Sequence, residues 1–263
     1  MVERQSDLFD AVLWLSTRAV GPSAVPVAAT GLSDEALVAA LPLANRGDAV
    51  ALAAEAVRRR LSAAVPALEA LCRRFKGFGE HRVISEQSVA VDALAALGGA
   101  GALTRILVDQ VVEGPGVAGA VAAAALAGCK LPPSVCGKLL RHAEPAVRAA
   151  AARIGVPHRE LVTLLVDLLD DLHDNVALAA ACALGRMGRI EGRSLLLARL
   201  RVCATPELIE AIGPVADEAC VVALNLAARA NAALRDQIFA VLDDIGSPLA
   251  SRVSRALESL PKS

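Results

Sequence analysis

The sequence predicts an all-α chain folded as an α-solenoid of stacked antiparallel helical hairpins. Composition is the first observation: 55% of the 263 residues are apolar but only 2% are aromatic, with one Trp, four Phe and no Tyr. Such a core is built from Ala, Leu and Val. Ala and Leu are strong helix formers, whereas strands draw on β-branched and aromatic side chains. The second observation is a repeated phrase. "EPAVRAAAARIG" (Glu144 to Gly155) returns as "DNVALAAACALG" (Asp174 to Gly185), and related phrases close at Gly98, Gly128, Gly213 and Gly246. The closing glycines lie 27 to 33 residues apart, and a repeat near thirty residues marks a stacked array of supersecondary units. Third, the apolar spacing inside a unit is helical: Leu161, Leu164, Leu165, Leu168 and Leu169 fall at i, i+3, i+4, i+7 and i+8.

The elements follow in order. Residues 1–30 read as an N-terminal capping helix and loop, with Phe9 and Trp14 as apolar anchors in "DLFDAVLWLSTRAV". Residues 31–246 hold about seven hairpins, with second helices near 47–60, 86–97, 116–127, 145–154, 174–186, 206–213 and 233–245. Each closing glycine suits the left-handed residue that follows a helix. Pro115, Pro145, Pro157, Pro206 and Pro248 suit helix starts. Residues 247–263 form a C-terminal capping helix whose wet face carries Arg252, Arg255 and Glu258. Neighbouring hairpins bury one another, so each must present the same small-residue stripe.

Net charge is −1 and the pI is near 6.4, which argues against a general affinity for polyanions such as nucleic acid. Cys72, Cys129, Cys136, Cys182, Cys203 and Cys220 stand singly among apolar neighbours and read as free thiols of a reducing compartment. No basic stretch followed by an apolar one opens the chain, so a signal peptide is not expected. "GVAGAVAAAALAG" is too short to span a bilayer. The expectation is a cytoplasmic protein without membrane insertion.

Candidate chemistry is sparse. "GPGVAG" (Gly114 to Gly119) matches G-x-G-x-x-G, but that fingerprint needs a preceding strand and an acid about 20 positions later. Here the preceding spacing is helical, and no acid follows until Glu144. "DDLHDN" offers Asp170, Asp171, His173 and Asp174, yet consecutive residues at a helix end diverge and a metal site needs convergent ligands. The expected role there is helix capping by Asp174 or Asn175. Cys136 and His142 lie on different faces of one helix, and no flanking signature marks a catalytic pair. Charge falls in blocks. Arg46, Arg58, Arg59, Arg60, Arg73, Arg74, Lys76 and Arg82 outnumber Asp48, Glu55, Glu69 and Glu80, whereas Glu160 to Asp174 is acidic and Arg186 to Arg201 basic. Such blocks are either solvated faces or an electrostatic groove that selects a charged partner.

"EPAVRAAAARIG" and "DNVALAAACALGRMG" resemble the second helix of short bacterial HEAT-like repeats: an acid, Val-Arg, Ala-Ala, then Leu-Gly. Arg148 keeps that family's arginine, while Ala177 and Ala118 stand where it would fall in neighbouring units. The resemblance implies an armadillo-like fold but no single function. It is consistent with a non-enzymatic scaffold or adaptor, with no cofactor and no metal, that binds a protein partner along a concave face of second helices. The expected partner contacts are Gln87, Arg148, Asn175, Arg186, Glu207 and Arg235. HEAT-like repeats also occur in bilin lyases and in DNA glycosylases, so a bilin-lyase-like or nucleic-acid-binding protein is the alternative. Those roles favour aromatic platforms and a basic groove.

Overall fold

The computed structural model describes residues 27–110, 112–154 and 158–258. Every described element is helical. The chain divides into two compact units, 1–154 and 155–263, and each is described on its own. The capping helix expected within 1–30, with Phe9 and Trp14, lies outside the described residues except for one turn, Val27–Thr30.

In the first unit the hairpins are α1 (Asp34–Ala40) with α2 (Arg46–Arg58), α3 (Val65–Arg73) with α4 (Ser85–Ala96), α5 (Ala100–Asp109) with α6 (Val117–Leu126), and α7 (Pro133–Leu140) with α8 (Pro145–Ile154). The second helices form one layer: α2 packs on α4, α4 on α6 and α6 on α8. Alanine makes this possible, because a methyl side chain lets axes approach without leaving voids. Ala49, Ala53, Ala56, Ala90, Ala93, Ala120, Ala124 and Ala149 to Ala152 are all buried.

The second unit begins with α9 (Val162–Asp167), flanked by 3-10 turns at 159–161 and 168–170, which pairs with α10 (Asp174–Arg186). Then come α11 (Arg193–Val202) with α12 (Pro206–Ile212), α13 (Glu218–Ala230) with α14 (Arg235–Ile245), and α15 (Pro248–Glu258). Here α10 packs on α12 and α12 on α14, while α11 packs on α13 and α13 on α15. Helix α15 thus occupies the place of one more first helix. Its buried Ala250, Val253 and Leu257 belong to the same core cluster as Leu196, Leu200, Leu224, Ile238 and Leu242.

The helix ends refine the expected glycine rule. Helices α4, α6 and α10 close with the same pair of backbone bonds around a left-handed glycine, at Gly98, Gly128 and Gly188. For α10 the terminating residue is therefore Gly188 and not Gly185, which lies inside the helix. Gly185 is there for space: a Cβ on it would stand 2.3 Å from the Ala211 carbonyl oxygen of α12. Gly213 is right-handed and starts a 3-10 turn, so it does not terminate α12 as expected. Among the expected helix-opening prolines, Pro145, Pro206 and Pro248 are first residues of helices. Pro115 precedes α6 by two positions, and Pro157 lies outside the described residues. Helix α10 is capped by His173, with no side-chain bond, and not by Asp174 or Asn175.

Candidate partner-binding surface

The expected contact residues are mostly committed to the fold. Gln87 is a correction: it is buried, and its amide donates to the Gly77 carbonyl and to Gln110 Oε1. Its polar side chain satisfies a loop and does not face solvent. Arg148 donates through Nη1 to the His142 and Ala143 carbonyls, 2.8 Å each, closing the turn before α8. Arg186 lies near Glu207 at 3.6 Å and Glu210 at 3.3 Å, bridging α10 and α12. Arg235 donates to the Ala228 carbonyl at 3.0 Å. Asn175 is half-buried in the first turn of α10. These six are spread over both units and no shared site gathers them.

What the second-helix layer of the first unit shows to solvent is different. On α2 the outward stripe includes Val50 and half-buried Ala54 and Val57; on α4, Ser88, Asp92 and Ala96; on α6, Gly119, half-buried Ala122 and Leu126. The spacing of each set is that of one helix face. Val50 and Leu126 are exposed aliphatic side chains within it.

The basic block resolves into two halves. Glu55 is buried and accepts from Arg58 Nε at 2.7 Å and from Arg59 Nε at 2.6 Å. The bonds from Arg58, followed by those from Arg59, outweigh burial and hold its carboxyl at about 2. Arg59 also reaches Asp34 at 2.8 Å and the carbonyls of Ala29, Thr30 and Leu32, so it fastens the segment 29–34 onto α2. Glu69 accepts a two-pronged contact from Arg105, at 3.0 and 2.6 Å, and one from Arg73, which also holds Asp109 at 2.8 Å. These contacts lower the Glu69 pKa, Arg105 first, and tie α3 to α5. Arg74 donates to the Pro42 and Ala44 carbonyls and lies 4.9 Å over the Phe75 ring. Arg46, Arg60, Lys76 and Arg82 make no ion pair among the described residues.

Two of those four cations, Arg46 and Arg82, line a cleft of about 490 Å³. Phe75, the run Gly79 to Ile84, Ser85 and Glu86 complete its lining. The run belongs to the loop Arg74–Ile84, which is longer than any other loop inside a hairpin of the described structure. The loop is anchored. Phe78 is 1% exposed, Gln87 holds the Gly77 carbonyl, and the Gly116 N–H donates to the Phe78 carbonyl at 2.9 Å. Glu80, His81, Arg82 and Val83 stand outward from these anchors.

This contact also accounts for "GPGVAG". A Cβ on Gly114 would lie 2.1 Å from the Gly79 oxygen, and one on Gly116 would lie 2.4 Å from the Phe78 oxygen. Both glycines are required because two loops meet backbone to backbone, and the segment before them is helix α5. Nothing comparable lies near Gly119. Arg46 and Arg82 stand out in the sequence as part of the basic block, whereas the loop does not. Its signal was the interval between the second helices at 47–60 and 86–97, which is wider than the others.

Elsewhere the expected chemistry stays apart. Cys136 is buried and directed at the Leu131 carbonyl, while His142 Nδ1 accepts from the Glu144 N–H. His173 contacts Asp171 at 3.3 Å, and no metal-competent group of three ligands occurs among the described residues. No described helix is long and apolar enough to cross a membrane. No thiols are paired; all are buried except Cys203. Compared with protein families, with curated proteins and with solved structures, the chain gives no match.

Proposed function

We propose that each unit is a run of HEAT-like α-solenoid and that the chain is a non-enzymatic scaffold which holds a protein partner on its second-helix layer. One observation carries this reading. In the first unit, successive second helices pack side by side and leave outward a set of mostly small and aliphatic residues, from Val50 through Ala96 to Leu126, with Asp92 the charged member on α4. An extended face assembled from equivalent helices suits an elongated ligand. Small side chains on it let a partner's backbone or side chains approach closely, and exposed aliphatic groups among them gain from burial at about 25 cal/mol per Å².

The six residues first expected to make this contact do not support the reading, because their polar groups largely serve the fold. The surface stripe on α2, α4 and α6 supports it instead. Photo-activatable side chains placed at Ser88 and Ala96, both exposed on α4, and at Ala70, exposed on first helix α3, test it in the native host. A partner protein cross-linked from Ser88 and Ala96 but not from Ala70 is the expected outcome. Capture from Ala70 alone would move the interface to the first helices and overturn the reading.

A further inference from the structure

We infer that the cleft between Arg46 and the anchored loop Arg74–Ile84 docks an extended acidic peptide segment, with carboxylates for Arg46 and Arg82 and an apolar side chain against Val83. This rests on the scaffold reading and names the chemistry of the partner. The cleft lies at the N-terminal ends of α2 and α4, so it continues the second-helix layer.

Three features define the occupant. The first is charge. Half of the basic block neutralises acids or holds carbonyls inside the unit, whereas Arg46 and Arg82 line the cleft with no ion pair among the described residues, and Lys76 projects from the same loop. A guanidinium binds a carboxylate in two-pronged geometry, so two of them lining one cleft can each take a carboxylate of the same segment. The second is selectivity. Glu80 and Glu86 line the same cleft. They repel a ligand carrying a negative charge at every step, as a nucleic acid does, and tolerate one whose carboxylates alternate with neutral residues. Phe75 in the lining is half-buried with a guanidinium over its ring, so it is no free stacking platform for bases, which leaves the exposed His81 imidazole as the other ring of the cleft.

The third is backbone. From Gly79 to Gln87 no main-chain N–H donates to another group among the described residues. An extended segment can supply acceptors along this run, which gives affinity independent of its side chains. The loop does not have to order on binding. Phe78, Gln87, Gly114 and Gly116 already fix it, which removes much of the entropy cost of capturing a flexible ligand.

The test is fluorescence anisotropy on the full chain with three labelled probes: a peptide alternating aspartate with valine, its lysine–valine counterpart, and single-stranded oligothymidylate. The acidic peptide should bind best, and its affinity should fall as salt rises. Arg46→Glu with Arg82→Glu should weaken it roughly tenfold or more, while Arg229→Glu, on α13 of the second unit, leaves it unchanged. Arg46 and Arg82 are exposed, so circular dichroism of the double variant should match wild type; Arg46→Gln with Arg82→Gln repeats the comparison without charge reversal. Equal affinity for the aspartate and lysine peptides would overturn the proposal, as would undiminished binding by both double variants. Tighter binding of oligothymidylate would overturn it in favour of nucleic acid. Failure of the scaffold reading is separate: no cross-linked protein from Ser88 or Ala96, with peptide binding in the cleft intact.

Discussion

At the scale of single residues, glycine and glutamate show how context reverses an intrinsic preference. Gly185 and Gly119 both sit inside helices, where alanine is normally favoured by up to about 1 kcal/mol. Around Gly119 nothing lies within 4 Å of an added Cβ, so Gly119→Ala should stabilise the protein by up to about that amount. At Gly185 the same methyl would meet the Ala211 oxygen at 2.3 Å and Leu196 Cδ1 at 2.9 Å. Gly185→Ala should therefore destabilise by about 1–3 kcal/mol, and thermal melts of the two variants should shift in opposite directions. Glu55 makes a pH prediction. Its folded pKa, about 2, lies below the ordinary 4.5. Its pairing with Arg58 and Arg59 thus contributes fully above pH 4.5 and is lost as the pH falls toward 2. Melting temperatures of wild type and Glu55→Gln should differ most at pH 5 and above, and should converge through that acid window. A gap that stays constant would mean the carboxylate is not ionised in the folded protein.

At the scale of elements, the chain reuses one ending and one packing surface. Helix α2 closes with the same backbone bonds as α4, α6 and α10: Leu61 N–H to the Ala56 carbonyl and Arg60 N–H to Val57. The left-handed position is held here by Arg60, at φ 52°, where the other three have glycine. A side chain in that conformation costs about 1 kcal/mol, so Arg60→Gly should raise stability by about as much, measured by urea unfolding. The packing surface is tested at Ala151, fully buried in α8, which packs on α6 and α7. Ala151→Leu should destabilise by about 1–3 kcal/mol through overpacking. An unchanged midpoint would show that the layer has room the buried alanines deny.

At the scale of the whole molecule, the thiols report how the alanine-rich core covers its polarisable groups. Burial pushes Cys72 up to about 12, and Cys136 and Cys220 to about 11, so these groups stay protonated and shielded. Cys203, at the end of α11, is the exposed thiol. A native-state titration with a chromogenic disulfide should therefore consume one thiol quickly and the other five only on unfolding. Two or more fast thiols would mean that the helices open more readily than their burial implies.

Sequence and tertiary structure decided different things. Helical class, the bounds of the second helices and the thirty-residue period were determined by the sequence alone, because they depend on propensity and on spacing along one chain. Helix α8 runs over the expected 145–154 and α10 over the expected 174–186. Which charges are free was decided only in three dimensions. Arg59 and Arg82 look alike in the sequence, yet one is fastened to Glu55, Asp34 and three carbonyls, and the other lines the cleft. The glycines of "GPGVAG" met a motif by spacing, but their reason is the backbone of Phe78 and Gly79, more than thirty positions earlier. Local patterns report what a residue prefers among its neighbours in the chain. A close approach, an ion pair or a cleft depends on residues that only folding brings together.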